Sequence, residues 1–136
     1  MPQDNMKIIV VEDYKEMSRK AAEILIKKVQ EKQNAVLGLA TGSTPVGLYE
    51  ELIKDHQTTG TSYKDIHTVN LDEYIGLPKE DKNSYYTFMC EHLFNHIGIP
   101  AEHTHIPNGE TKDLLEECDR YENIIESLGP VDLQIL

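Results

Sequence analysis

An α/β domain built on an open, mostly parallel sheet is predicted by three features of the sequence. Short apolar, β-branched runs alternate with longer stretches whose apolar residues recur at helical spacing. The joints between them carry Gly, Pro, Asn and Ser, the residues of tight turns. Internal repeats, low-complexity tracts and linker-like stretches are absent. Strands alternating with helices imply right-handed β-α-β crossovers, and so a Rossmann-like sheet with helices on both faces. A chain of 136 residues can bury a modest core, and a single domain is expected over 1–136.

The elements follow in order. Lys7-Ile8-Ile9-Val10-Val11 reads as a strand buried on both faces. Asp13 can cap a helix over residues 14–30, with Met17, Ala21, Ile24, Leu25 and Val29 on its apolar face. Residues 35–40 form the second apolar run, followed by a turn and a helix over 45–56 that offers Val46, Leu48, Tyr49, Leu52 and Ile53 for burial. After a polar loop with Gly60, residues 67–71 read as a third strand. A helix is expected from Asn83 or Ser84 to His96, burying Tyr86, Met89, Leu93 and Phe94. Residues 104–106 make a short fourth strand, and Thr111 can cap a helix over 112–128. Gly129-Pro130 stops that helix, and 131–136 begin another strand. A parallel strand is usually followed by a turn and a covering helix. The sequence therefore reads either as closing its sheet with a terminal strand or, as expected here, as the N-terminal portion of a longer, truncated domain.

Composition narrows the function classes. Hydrophobic residues make up 39%, too many for a disordered chain. Thirteen basic against 24 acidic residues give 13 − 24 = −11, a surface that repels nucleic acid and anionic lipid. An anionic ligand would need a local set of donors to overcome that field. Cys90 and Cys118 form no Cys-x-x-Cys pair and read as free thiols. No stretch has the length of a membrane span, and residues 1–7 lack the blocks of a signal peptide, so a cytoplasmic location is expected.

Two stretches can carry chemistry. Thr41-Gly42-Ser43-Thr44-Pro45 joins a buried strand to a helix. Pro45 suits the first helical position, which makes Thr44 the natural N-cap. Gly42 permits a backbone conformation closed to other residues, and the hydroxyls of Ser43 and Thr44 with nearby N–H groups form a cradle for a phosphate. The same residues also describe an ordinary capped helix. No P-loop lysine and no Gly-x-Gly-x-x-Gly occur, which disfavours a nucleotide. Asp72-Glu73 follows the third strand, on the edge where the 41–45 turn should lie. A carboxylate there can remove a proton beside a carbonyl or activate water. With 24 acidic residues in 136, adjacency alone carries little weight.

Both stretches resemble one family. Ala40-Thr41-Gly42-Ser43-Thr44-Pro45 is similar to the phosphate turn of glucosamine-6-phosphate deaminases, also called isomerases. Asn70-Leu71-Asp72-Glu73-Tyr74-Ile75-Gly76-Leu77-Pro78, followed by Asn83-Ser84-Tyr85-Tyr86, resembles that family's most characteristic stretch. The related 6-phosphogluconolactonases share the Gly-Ser-Thr-Pro turn but typically carry Asp-Glu-Arg where this chain has Asp72-Glu73-Tyr74. The resemblance runs from Met6 onward. It implies conversion of glucosamine 6-phosphate to fructose 6-phosphate and ammonia, without metal or organic cofactor. It implies Asp72 as the enolising base and Thr41, Gly42, Ser43 and Thr44 as the phosphate site. Glu73 either raises the Asp72 pKa by like-charge repulsion or faces solvent, and Tyr74 and Tyr85 either line the pocket or pack in the core. Members of the family continue into a Gly-rich loop with an Asp, a His and a Glu that open the sugar ring, and into basic residues that complete the phosphate site. None of these occurs here, so the 136-residue chain alone is expected to be incomplete. The expected partners are a small-molecule sugar phosphate and, in a homo-oligomer, further copies of the chain. The alternatives are a 6-phosphogluconolactonase-like hydrolase and a sugar-phosphate sensor without catalysis. His92 with His96, and His103 with His105, have metal-compatible spacing but lack a third ligand, so no metal is expected.

Overall fold

A computed structural model describes residues 5–136. Helix α1 spans Tyr14–Glu31, strand β1 Val36–Leu39, α2 Val46–Thr59 and β2 His67–Asn70. Helix α3 (Tyr85–His92) is followed by short 3₁₀ turns at Phe94–His96 and Ala101–His103, then by β3 (Thr104–His105), α4 (Leu114–Leu128) and β4 (Leu133–Gln134). All strand pairs are parallel, in the order β3-β2-β1-β4.

Residues paired across parallel strands share a face. Leu37 and Leu39, level with Thr68 and Asn70, turn toward a cluster made by Ala22, Leu25 and Val29 of α1, Leu48, Tyr49 and Leu52 of α2, and Met89 of α3. Val36 and Val69 are buried on the opposite face, which also carries His67 and His105. Helix α4 lies outside the main cluster and reaches the sheet through Tyr121, whose hydroxyl is shared between Asn70 O (2.6 Å) and His105 O (2.8 Å).

Local signals placed most element starts. The Asp13 carboxylate accepts from Glu16 N at 2.8 Å and opens α1, and the Ser84 hydroxyl accepts from Thr87 N at 3.1 Å and opens α3. Four expectations need correction. Residues 7–11 form no strand: Ile8 is 79% and Val10 89% exposed. Their composition fits a pleated surface, but a strand needs a neighbour's N–H and C=O groups, and none of the four strands supplies them. On α1, Ser18 and Ala22 are buried with Leu25 and Val29, while Met17 and Ile24 stand out, a stripe rotated by one position. Helix α4 starts at Leu114 under an Asp113 cap rather than at Lys112 under Thr111, because the Asp113 carboxylate takes Glu116 N while the Thr111 hydroxyl is spent on Asp113 itself. Helix α3 ends at His92, because Leu93 leaves the helical region (φ −148, ψ −61) before the chain closes a 3₁₀ turn.

Candidate functional site

Register fixes how the two candidate stretches meet. Leu39 of β1 lies opposite Asn70 of β2. Thr41 and Asp72 each follow that pair by two residues, so the 41–45 turn and the Asp72 loop leave adjacent strands at the same level. Strand order also reverses at β1, with β2 and β3 on one side and β4 on the other. Open α/β sheets form their ligand crevice at such a point, outside the carboxyl ends of the strands.

Gly42 adopts φ +98, where a side chain is strained, yet no atom lies within 4 Å of a built Cβ. Conformation rather than space therefore requires glycine. Thr44 does not cap α2: the N-cap position is Pro45, without a side-chain hydrogen bond. The cause is Tyr14, whose hydroxyl accepts from Gly47 N and donates to Ser43 O, both at 2.8 Å. It satisfies a donor at the helix start from outside and pins the turn to α1. One residue before Thr41, the Tyr49 hydroxyl accepts from Ala40 N at 3.0 Å and donates to Ala40 O. Burial pushes the Tyr49 pKa up to about 12, so the hydroxyl stays a donor at any ordinary pH. Two tyrosines thus hold the base of the turn, and Gly42, Ser43 and Thr44 remain exposed. A cavity of about 170 Å³ beside it is lined by Thr44, Pro45, Ile135 and Leu136 among others.

Asp72 is exposed at a second cavity of about 430 Å³, whose lining includes Glu73, Asn108, Leu114 and Tyr121. Its neighbour Glu73 is engaged by backbone donors. Glu73 Oε1 accepts from Tyr74 N and Tyr85 N, each at 2.8 Å, and Oε2 accepts from Tyr86 N at 3.0 Å. The carboxylate is bound to the start of α3 and does not face open solvent.

Tyr74 and Tyr85 pack ring against ring, with centroids 4.5 Å apart. Tyr74 is 48% exposed, which places it on the rim of the site and outside the core. The Tyr85 pKa is raised, chiefly by a hydrogen bond with Tyr74, then by burial and by the charges of Tyr74 and Asp72, while a hydrogen bond with Thr41 opposes the shift. Tyr85 thereby lies within electrostatic reach of both Thr41 and Asp72. The 41–44 turn and the Asp72 loop lie at the same end of the sheet, Thr44 at one cavity and Asp72 at another. Tyr14, Tyr49, Tyr121 and Glu117 also serve this end and were not singled out as site residues. Glu117 Oε2 accepts from Asn108 N at 2.7 Å beside the Asp72 cavity, and its pKa is lowered by Arg120 above all.

The paired histidines lead elsewhere. His92 packs on Phe88, and His96 Nε2 lies 2.8 Å from Glu91 O. His67 Nδ1 and His105 Nε2 are 3.2 Å apart, and the His103 ring stacks on His67 at 4.0 Å. The His67 and His105 rings are nearly parallel, and the two nitrogens lie within hydrogen-bond distance. Among the described residues no group of three or more His, Cys, Asp or Glu is placed to hold a metal ion, and no helix is long and apolar enough to cross a membrane.

The site's two stretches match known proteins. The profile of the family described as glucosamine-6-phosphate isomerases/6-phosphogluconolactonase matches residues 12–136. A glucosamine-6-phosphate deaminase of Geobacillus sp. (strain WCH70) is 56% identical over 131 residues, covering 96% of this chain and 52% of that protein. One from Thermoanaerobacter sp. (strain X514) is 53% identical with the same coverage. The solved structure of a monomeric glucosamine-6-phosphate deaminase superposes with a TM-score of 0.92 at 48% identity, over 95% of this chain and 54% of that one. A 6-phosphogluconolactonase from Thermotoga maritima superposes with a TM-score of 0.75 at 26% identity, over 94% of this chain and 57% of that one. The chain spans about half the length of the curated relatives it matches. It belongs to the family of glucosamine-6-phosphate isomerases and 6-phosphogluconolactonases.

Proposed function

We propose that this chain is the N-terminal portion of a cytoplasmic glucosamine-6-phosphate deaminase, supplying the enolising base and one side of the phosphate grip. The observation that carries the reading is the placement of Thr41 and Asp72 at one level, each two residues beyond a paired residue of adjacent strands. In the ring-opened substrate, C1 is an aldehyde and C2 bears the amine and an acidic hydrogen. Asp72 takes the C2 proton and returns it to C1, which leaves an imine at C2. Water adds there and ammonia departs, giving fructose 6-phosphate. Thr41, Gly42, Ser43 and Thr44 hold the phosphate, and remote binding of that kind orients the reacting carbons. Ring opening and cationic phosphate ligands are assigned to the part of the relatives' length that this chain does not span. The deaminase relatives, at 53–56% identity, favour this reading over lactone hydrolysis.

Ammonia release from glucosamine 6-phosphate, measured on the protein extended to its relatives' length, tests the assignment. Asp72→Asn is expected to lower release by about 10²-fold or more while sugar-phosphate binding survives. Undiminished turnover in that variant removes Asp72 from the mechanism. Hydrolysis of 6-phosphogluconolactone without ammonia release would point to the lactonase reaction instead, and effector binding indifferent to the Asp72 carboxylate to a sensor.

A further inference from the structure

The Glu73 carboxylate joins two parts of the chain. It takes the first two N–H groups of α3, at Tyr85 and Tyr86, and the N–H of Tyr74 in the loop that bears Asp72. The third donor at the helix start, Thr87 N, goes to the Ser84 hydroxyl, so α3 is capped by two side chains of different origin. Helix capping alone would not require a residue twelve positions upstream. What that residue adds is a link between the carboxylate next to it and the tyrosine at the head of the helix. The loop is held from the other side as well: Gly76 N donates to Gly109 O at 2.8 Å, and a Cβ on Gly109 would meet Tyr74 O at 1.9 Å. Only glycine lets the two backbones approach so closely. Glu117 fixes the 107–109 stretch in turn through Asn108 N. Asp72 itself is exposed, so its direction is set by the backbone that carries it.

We propose that Glu73 is a positioning residue: by tying the Asp72 loop to the start of α3, it holds Asp72 toward Tyr85 and the phosphate turn. The proposal rests on the reading of Asp72 as the base. A tether of this kind suits proton transfer between neighbouring carbons, where a small displacement of the base is costly. It also explains why two adjacent carboxylates occupy this loop without competing for one role, since one is bound to backbone donors and the other is left free.

The test is made on the 136-residue chain without ligand, by NMR. Glu73→Gln replaces one acceptor oxygen by an NH₂ group that meets a backbone N–H. Amide exchange at Tyr85 and Tyr86 is expected to rise about tenfold or more, as for loss of hydrogen bonds to a charged group. Asp72→Asn is expected to shift the Tyr85 ring resonances when Glu73 is present and to leave them unmoved in the Glu73→Gln background. A shift that persists in that background overturns the proposal. Ser84→Ala weakens the same helix start but leaves the tether, so the shift should survive it. If Ser84→Ala erases the shift as fully as Glu73→Gln, Glu73 is only a helix cap and the proposal fails. Should Glu73→Gln unfold the chain, Glu73→Asp is read in the same way: its carboxylate is one methylene short of spanning loop and helix, and coupling at full strength overturns the tether. The underlying reading fails separately, through unchanged ammonia release in Asp72→Asn.

Discussion

Gly42 shows how much one backbone angle decides at this site. At φ +98, with nothing within 4 Å of a Cβ, a side chain there meets conformational strain and no clash. Gly42→Ala should therefore destabilise the chain by about 1–2 kcal/mol, seen as a lower Tm in thermal unfolding. Gly42→Asn should recover part of that loss, because Asn tolerates positive φ better than Ala. Equal Tm values for the wild type and Gly42→Ala would show that the turn relaxes freely. The need for glycine was legible in the sequence because the signal is local, and the caps at Asp13 and Ser84 were legible for the same reason. Tyr14, Glu73 and Tyr121 were not, since each acts on backbone 29, 12 and 51 residues away. A tyrosine at the first turn of a helix and a glutamate in an acidic protein carry no mark of such partners.

At the scale of elements, the alternation of strand and helix was readable, and the error lay in deciding which apolar run finds a neighbour. Residues 7–11 carry four β-branched residues and 35–40 only Val36, yet only the latter lie between two strands. Pairing is a property of the sheet, and no local pattern encodes it. The strand read at 67–71 is present as His67–Asn70, despite its polar members. Two of them, Thr68 and Asn70, are buried against the helices, and His67 engages β3 through His105. That histidine contact gives the β2–β3 edge a pH dependence. Burial above all, then neighbouring imidazole and Arg120 charge, holds the His105 pKa below its ordinary value; burial and His103 do the same for His67. The unfolded chain then binds more protons than the folded one, so stability is complete above about pH 6.5 and declines as pH falls through the unfolded and then the folded pKa. Thermal unfolding between about pH 8 and pH 5 should show Tm falling with acidification, and His105→Gln should flatten the slope. A slope unchanged by that substitution would assign the effect to other groups.

Across the whole molecule, the charge of −11 and the position of the phosphate turn pull in opposite directions. A sugar phosphate near neutral pH carries close to two negative charges. The residues lining the cavity beside the turn, including Met17, Ser18, Ala21, Leu48, Ile135 and Leu136, bring no cation to meet them. What the turn offers is backbone N–H groups, hydroxyls and a helix end, dipoles whose reach is about one turn. The net negative field acts over a longer range, so at low ionic strength it opposes the ligand's approach, and salt weakens the repulsion before it weakens the short contacts. Affinity of this chain for glucosamine 6-phosphate should therefore be weak and should rise, by a factor of a few, as ionic strength increases from about 0.01 M to 0.15 M. Titration calorimetry with a sodium salt of a non-binding anion reads this directly. A site held by lysine or arginine would show the reverse, with affinity falling as salt is added. A falling curve for this chain would mean that a cation reaches the turn from elsewhere in the fold. A rising curve here, together with a falling one for a protein of the relatives' full length, would assign the missing cations to the part this chain does not span.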